Sequence, residues 1–281
     1  VWSSGDTIRA ADNKARIAAI LEGVRVVLDS GASLPKLVLL FTYGEERAHV
    51  GAKALDVSSL QADLCYTLDA EGPVGSIVIS APGYYSVRAA FRGRAAHAGI
   101  APEAGVDALV AAARAIARMP LGRIDAETTA NIGVIHGGTA RNTVAALVEL
   151  EGEARSRSAA RLEAQVQAMT RAMQEEADRV GATLDLQVNP EYRAFTLDPE
   201  SPVVILARRA IERVGLPAEL MATGGGSDAN DLNEKGLPTA VLGTGMVGAH
   251  SLQEHIAVAD LVALSRVVVE LIRLAAEGPS V

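Results

Sequence analysis

The sequence predicts a two-domain α/β protein, in which a two-layer α+β unit is inserted into a doubly wound, mixed sheet. The uninterrupted apolar run at residues 37–41, and the short segment at residues 239–242, are typical of strands that helices cover on both faces. Amphipathic helical patterns stand between such runs. From about residue 81 to residue 193 the strands instead alternate polar and apolar positions, in the order β-α-β-β-α-β. The 281 residues, 49 % of them hydrophobic, suffice for two cores of ordinary size.

Composition and charge exclude several classes of partner. The formal net charge is −8 and no basic stripe runs along the chain, so nucleic acid and anionic membranes are not expected partners. No apolar run approaches the roughly 18 residues that suggest a membrane span. The polar start has no signal-peptide pattern, and Cys65 is the single cysteine, so no internal disulfide is expected. A buried, unreactive thiol and a cytoplasmic location are the expectations that follow.

The first helix is predicted to begin at Asp12 and to end before Gly31. Its apolar residues recur at helical spacing and are expected to face the core: Ile17, Ile20, Leu21, Val24, Val27 and Leu28. An aspartate at a helix start usually caps it, with its carboxylate on the first free amides. Capping is therefore the alternative to a chemical role for Asp12.

Two predicted strands of this first part end in acids. The run 37–41 is followed by a short turn and then directly by Glu45 and Glu46, and the segment 64–68 ends in Asp69. Because ligands of open α/β sheets bind beyond the carboxyl ends of strands, these acids are candidates for a binding site. The alternatives are a solvated acidic loop for the glutamates and a turn acid for Asp69.

The inserted unit is predicted to hold four strands and two helices. In chain order they are a strand at 84–91, a helix at 103–119, strands at 130–135 and 144–154, a helix at 159–180 and a strand at 185–188. One face of the first helix is expected to hold Val106, Leu109, Val110 and Ile116. The buried stripe of the second helix is expected to consist of Leu162, Val166, Met169, Met173 and Val180. His97 lies in the glycine-flanked loop before the first of these helices. A surface position in a tight turn is the alternative to a chemical role for His97.

After Pro202 the buried α/β pattern returns, with helices predicted at 203–214 and 259–276, a turn at 224–228 and the strand at 239–242. His250 lies in the loop beyond that strand. Asp12, Glu46, Asp69 and His250 thus all stand at element ends, and carboxylates with one imidazole are the ligand set of zinc or a related divalent ion in a hydrolytic site. Glu45, adjacent to a ligand but free, is placed to take a proton from a metal-bound water. A loop histidine is the alternative for His250.

Several short stretches, taken together, resemble the M20 metallopeptidase family, and within it the peptidase T-like branch. In chain order they are Ala-Ala-Asp12-Asn-Lys-Ala-Arg-Ile-Ala-Ala-Ile, Phe-Thr-Tyr-Gly-Glu45-Glu46, Leu-Asp69-Ala-Glu-Gly-Pro-Val-Gly, Ala-Ala-His97-Ala-Gly, Gly137-Gly-Thr-Ala-Arg-Asn142, Gly225-Gly-Ser-Asp228-Ala-Asn and His250-Ser-Leu-Gln-Glu254. They span nearly the whole chain in the order of the family. The combination is specific, although no single stretch is.

The resemblance implies a role for each matching residue of the metal site. Asp12 would bridge two zinc ions, Glu46 and His250 would complete one site, and Asp69 would belong to the other. Glu45 would be the general base.

The resemblance also implies roles in the inserted unit. His97 would reach the active site of a partner subunit and stabilise the tetrahedral oxyanion. Asn142 and Arg155 would contact substrate, and an arginine suits a substrate carboxylate because its planar fork binds two oxygens at once. An exposed strand position is the alternative for Arg155. His49, His136 and His255 match no motif and are interpreted as loop or surface residues.

One departure from the family concerns the metal site. The family has a His-x-Asp motif before the position of Asp12, and no His-x-Asp occurs in these 281 residues. We expect that the first strands of the catalytic domain lie outside this sequence. The alternative is a chain that has lost catalysis and acts as a dimeric binding protein.

These inferences combine into one prediction for the whole chain. Residues 1–80 and 194–281 are expected to form a zinc-exopeptidase-like catalytic domain, and residues 81–193 an inserted dimerisation or lid domain that makes a homodimer. The expected reaction is metal-dependent hydrolysis of an amide bond in small peptides, with two zinc ions, or other divalent metals, per subunit. An N-acyl amino acid deacylase or a carboxypeptidase of the same family is the alternative enzyme.

Overall fold

The structure is a computed structural model that describes residues 12–32 and 34–278. The helices are α1 (Lys14–Asp29), α2 (Val50–Ala54), α3 (Ala108–Arg118), α4 (Ala159–Val180), α5 (Pro202–Arg213), α6 (Asp228–Glu234) and α7 (Val258–Glu277). The strands are β1 (Cys65–Ala70), β2 (Ser76–Ala81), β3 (Gly83–Arg92), β4 (Gly122–Arg123), β5 (Thr128–Gly137), β6 (Leu147–Ser156), β7 (Thr183–Tyr192), β8 (Phe195–Thr196), β9 (Glu219–Ala222), β10 (Thr239–Gly243), β11 (Met246–Val247) and β12 (His255–Ile256). Short 3₁₀ turns occur at Glu45–Arg47, Val57–Leu60 and Pro102–Ala104.

The chain divides into two compact units. One is formed by the two ends of the chain, up to Ala81 and from Phe195 onward, and the other by Pro82–Ala194. The first unit is a mixed α/β sheet with helices on both faces, and the second is an antiparallel sheet with two helices. The fold class predicted from the sequence is therefore confirmed.

The sheet of the first unit has the order β1-β10-β2-β8, and β9 also pairs with β2. β1 runs parallel to β10 and β9 parallel to β2, whereas β10 and β8 are antiparallel to β2. Ile77 and Leu242 lie in a core cluster with residues of α1, α5 and α7, while Val78 and Val241 pack with Ala229 of α6. Neighbouring residues of one strand thus bury opposite faces, which is why these runs are apolar without alternation.

α1 packs closely on α7 through small residues. Ala15, Ala19, Gly23 and Val27 are its buried positions, whereas Leu21 and Leu28, predicted to be buried, are about half exposed. A Cβ at Gly23 would come within 2.6 Å of Val268 in α7, so this approach requires glycine. The helix also begins at Lys14 rather than at Asp12. The predicted stripe is confirmed at Val27, and Ile20 and Val24 pack against the core. It is wrong at Leu21 and Leu28, because larger apolar side chains are excluded where two helix backbones approach this closely.

The predicted buried strand at residues 37–41 is wrong. The segment belongs to no strand, and Leu37, Val38, Leu39 and Phe41 are 39 to 54 % exposed. Among the described residues no strand pairs with it, since β1 forms its ladder with β10. An apolar run becomes a buried strand only where neighbouring strands and covering helices supply partners.

The second unit is a five-stranded antiparallel sheet with the order β4-β5-β6-β3-β7. α3 and α4 pack against each other and against this sheet, around a core that includes Phe91, Leu150, Met169 and Met173. Ser158 caps the start of α4 with its side chain, and Gly181 ends the helix in the left-handed conformation.

α3 differs from its prediction in both length and buried face. It begins at Ala108 with Asp107 as its cap, and residues 102–104 form a separate turn. Ala108, Ala111, Ala112 and Ala115 are buried, while Leu109 and Val110 are 45 and 37 % exposed. The alanines face inward because they let α3 lie close to α4 and the sheet, which directs the larger side chains outward.

Two further features of the structure concern membrane-spanning helices and the single cysteine. In residues 12–32 and 34–278, no helix combines the length and the apolarity needed to cross a bilayer. Burial raises the pKa of the Cys65 thiol, so the reactive thiolate is disfavoured there.

Candidate metal centre

Asp12, Glu46 and His250 meet in space although they are far apart in the sequence. Each offers one ligand atom, and these atoms lie within 4.8 Å of one another. His250 Nε2 is 3.2 Å from Glu46 Oε1 and 3.6 Å from Asp12 Oδ2. No other group of three such side chains occurs in the described part of the chain.

The donor set and its spacing fit a divalent ion. Atoms bound to one zinc ion at about 2.1 Å in a tetrahedron lie about 3.4 Å apart, which the two measured separations bracket. The side chains of His250 and Glu46 are 65 and 64 % exposed and that of Asp12 is 21 % exposed. A ligand can therefore reach the cluster from solvent, and an open coordination position is what a catalytic site requires.

Local backbone structure holds the three side chains. Glu46 lies in the 3₁₀ turn that follows Gly44, a glycine with a φ of 67°. The buried carboxylate of Glu254 accepts the backbone N–H of Asp12, and a tight loop between β11 and β12 carries His250 at a φ of 63°. Non-glycine residues in the left-handed region cost free energy and cluster at functional sites. The same loop also brings the backbone N–H of Ala249 to Glu71, 2.9 Å from its carboxylate.

The neighbouring Glu45 is electrostatically distinct from Glu46. Burial, followed by the charges of Asp69, Glu46 and Asp228, raises the pKa of Glu45 to about 8. A cation bound by the three-residue cluster would lower this pKa, because positive charge favours the ionised form. Without a bound cation, the pKa of Glu45 thus lies in the range near neutral pH that general acid–base chemistry needs.

Asp69 lies at the carboxyl end of β1, in an irregularity of the β1–β10 register between Leu68 and Ala70. Such bulges redirect a side chain out of the regular ladder. Burial raises the pKa of Asp69 to about 6, although Arg16 acts in the opposite direction. The guanidinium of Arg16 binds both Asp69 and Asp12, so the structure does not add Asp69 to the three-residue cluster.

His49, interpreted from the sequence as a loop or surface residue, lies in the loop before α2 but not at the surface. It is 3 % exposed, and its Nδ1 lies 2.6 Å from Oδ2 of Asp231, itself buried in α6. Its Nε2 lies 3.6 Å from Oε1 of Glu45. Both Ala48 and His49 are left-handed, with φ of 58° and 59°. His49 therefore links the candidate base to a buried carboxylate of another element.

The other two histidines interpreted as loop or surface residues both lie in strands. His136 is exposed on β5, and His255 is half-buried in β12.

In the unit Pro82–Ala194, His97 and Asn142 are exposed and stand on neighbouring segments. His97 forms an isolated bridge with Thr143, and its Nδ1 accepts the backbone N–H of Gly99 at 3.2 Å. The carbonyl of Asn142 accepts the backbone N–H of Ala98 at 2.9 Å. The side chains of His97 and Asn142 thus face solvent from one connected loop region.

Arg155 is half-buried rather than a plain exposed strand residue. Its guanidinium binds both carboxylate oxygens of Glu153 at 3.0 Å and lies 4.6 Å over the ring of Tyr84. A substrate carboxylate would have to compete with Glu153 for the same planar fork.

The chain is a two-unit α/β protein: an antiparallel α+β unit is inserted into the sequence of a mixed α/β unit. The mixed unit carries a cluster of two carboxylates and one imidazole that suits a divalent metal ion. A family model described as the peptidase dimerisation domain of the M20 family matches residues 79–180. The uncharacterized protein YqjE of Bacillus subtilis is 41 % identical over 277 residues, covering 99 % of this chain and 75 % of that protein.

Two solved structures of peptidases are also similar to this chain in sequence and in fold. The aminopeptidase PepT of Bacillus cereus is 44 % identical with a TM-score of 0.89, covering 96 % of this chain and 73 % of that chain. A tripeptidase of Staphylococcus aureus is 38 % identical with a TM-score of 0.95, covering 98 % of this chain and 74 % of that chain. The chain belongs to the M20 peptidase family, in its peptidase T-like branch.

Sequence reasoning missed three residues around the cluster: Arg16, His49 and Asp231. Arg16 stands four residues after Asp12 on a helix, and this spacing alone indicates a pair. His49 and Asp231 are 182 positions apart, and no local pattern connects them.

Proposed function

We propose that this chain is a metal-dependent peptidase that hydrolyses an amide bond in small peptides, and that zinc is the metal. The observation that carries the proposal is the cluster of Asp12, Glu46 and His250 beside a glutamate of raised pKa. The peptidase relatives named above support the reaction class. The proposed catalytic domain comprises residues 1–80 and 194–281, and the proposed dimerisation domain comprises residues 81–193.

Asp12, Glu46 and His250 would hold the ion, which when bound lowers the pKa of water and polarises a carbonyl group. Glu45 would accept the proton of the attacking water and return it to the leaving amine. Its carboxylate is held on a short turn beside the cluster, and His49 faces one of its oxygens. A base fixed in this way needs little reorganisation when the proton moves.

We expect the 281-residue chain to cleave a tripeptide when zinc is present and to lose this activity after chelation. Added zinc should restore it, because the three ligands remain in place without the ion. Release of free amino acid is the measurement, with an N-acyl amino acid and a carboxypeptidase substrate as the comparison. Preferential cleavage of either comparison substrate would assign the alternative enzyme class. Binding of zinc without hydrolysis of any of the three, by this chain and also by one with an upstream extension, would favour the non-catalytic binding protein.

We propose that the chain forms a homodimer through residues 81–193 and that His97 stabilises the oxyanion in the partner's site. The match to a peptidase dimerisation domain and the solvent exposure of His97 support this. His97→Ala is expected to lower kcat by about 10²- to 10³-fold, the cost of removing one oxyanion donor, while the bound metal is unchanged. His136→Ala, which removes another exposed histidine of the same unit, is the matched control.

A mixture of two inactive variants tests whether His97 acts across the dimer. When His97→Ala and Glu45→Gln subunits are dissociated and reassociated in equal amounts, half of the dimers contain one of each. Each mixed dimer then has one site with both groups intact, so about a quarter of wild-type activity is expected for a two-fold symmetric dimer. No recovery in verified mixed dimers would place His97 in its own subunit's site or outside catalysis.

A further inference from the structure

Arg16 lies between two carboxylates that the family resemblance assigns to a second metal ion. It stands one helical turn after Asp12 on α1. One of its terminal nitrogens binds Asp12 Oδ1 and the other binds Asp69 Oδ1. The side chains of Arg16 and Asp69 are both only 15 % exposed. One guanidinium thus bridges the acids of two separate elements in a mostly buried place.

Asp12 uses its two oxygens for different partners. Oδ1 binds Arg16, while Oδ2 faces Nε2 of His250 at 3.6 Å and belongs to the three-ligand cluster. The cluster therefore keeps all three of its donors while Arg16 is in place. Asp69 contributes to Arg16 and not to the cluster.

A guanidinium and a divalent ion cannot use these oxygens at the same time. Arginine stays protonated in proteins, so it has no lone pair to offer a metal and repels a cation nearby. Its planar fork also matches two carboxylate oxygens better than a point charge does. With Arg16 in place, the oxygens of Asp12 and Asp69 that bind its two terminal nitrogens are already neutralised by one positive charge. The residues present therefore fit one ion at the cluster and do not fit a second ion between Asp12 and Asp69.

We propose that this chain holds a single divalent ion, at Asp12, Glu46 and His250, and that the Arg16 guanidinium takes the place of a second ion. The inference rests on the proposed metal-dependent function. It differs from that function in what Arg16 does: the guanidinium positions Asp12 and Asp69 by charge but coordinates no water. The bound ion alone then supplies the Lewis acid of this site.

The experiment counts zinc per chain in the wild type, Arg16→Met and Arg25→Met by elemental analysis after dialysis against increasing zinc. Arg25→Met is the matched control, because Arg25 binds Glu22 and Asp29 on the exposed face of the same helix. The wild type and Arg25→Met are expected to hold one zinc per chain. Arg16→Met frees Asp12 and Asp69 and is expected to bind a second, weaker equivalent. Cobalt absorption spectra of the same proteins give an independent count of occupied sites.

Asp69→Asn provides a test that does not depend on how well Arg16→Met folds. In the wild-type background this variant should leave zinc at one per chain, since Asp69 is not a ligand of the bound ion. Two zinc ions per wild-type chain would overturn the inference while leaving the proposed metal-dependent function intact. One zinc per chain in folded Arg16→Met would show that Arg16 is not what excludes the second ion, and would also overturn the inference. Absence of zinc from the wild type would refute the proposed function itself.

Discussion

Glu45→Gln is expected to abolish measurable tripeptide hydrolysis while the protein still binds its metal. Glutamine has nearly the shape of glutamate but cannot take up a proton, so the proposed proton transfer is lost. Positioned general acid–base groups contribute roughly 10²- to 10⁴-fold to a rate, and kcat should fall by at least that much. KM and the zinc content should change little, because Glu45 is not a member of the Asp12, Glu46 and His250 cluster.

Glu46→Gln is the matched comparison, since it makes the same chemical change one residue further along the same turn. It removes a charged ligand, so the zinc affinity should fall together with the activity. Normal zinc binding by Glu46→Gln together with zinc loss in Glu45→Gln would mean that the two glutamates have exchanged roles. Wild-type kcat in zinc-loaded Glu45→Gln would remove Glu45 from the mechanism.

Much of the fold follows from local patterns that act independently of the rest of the chain. The long helix α4 was predicted at residues 159–180 and is found at Ala159–Val180, because its apolar stripe, its serine cap and its terminal glycine all agree. β10 was predicted at 239–242 and extends to Gly243. Its five residues are buried throughout, as a strand covered on both faces requires.

The strand predictions that failed have a shared cause, because the formation of each strand depends on which distant segments pair with it. Residues 37–41 have the composition of a central strand but lie exposed without a ladder partner among the described residues. β2 was not predicted, although it is the strand that joins β8, β9 and β10 into one sheet. Its position is set by these long-range pairings and not by its own sequence pattern.

The cluster was predictable in part because its members were recognised as a set. Asp12, Glu46 and His250 stand in stretches that resemble the family, and the structure brings these three together. The pairing of Asp69 with Arg16 was not predicted, because it depends on the path of a long side chain. The link from Glu45 through His49 to Asp231 was not predicted either, because a buried polar pair leaves no periodic pattern in a sequence.

His49→Ala is expected to cause the largest loss of stability of the substitutions considered. The alanine leaves the carboxylate of Asp231 buried, at 4 % exposure, without the imidazole 2.6 Å away. Breaking a buried pair by removing one partner costs about 3–5 kcal/mol, because the remaining charge has lost both water and its partner. Asp231→Val should cost less, since a histidine can stay neutral and its loss is closer to that of one hydrogen bond, about 1–3 kcal/mol.

The double variant His49→Leu with Asp231→Val tests whether the loss of stability comes from leaving one polar partner unpaired or from losing the pair as a whole. Two apolar side chains of similar volume remove both polar groups, and such replacements are often neutral or stabilising. We therefore expect the double variant to be at least as stable as the wild type in urea unfolding followed by circular dichroism, with His136→Ala as the exposed control. If stability returns while kcat stays low, His49 positions Glu45 in addition to filling the core, since its Nε2 lies 3.6 Å from Oε1 of that residue. A double variant as unstable as His49→Ala would contradict this account, because the loss would then come from packing and not from an unpaired buried charge.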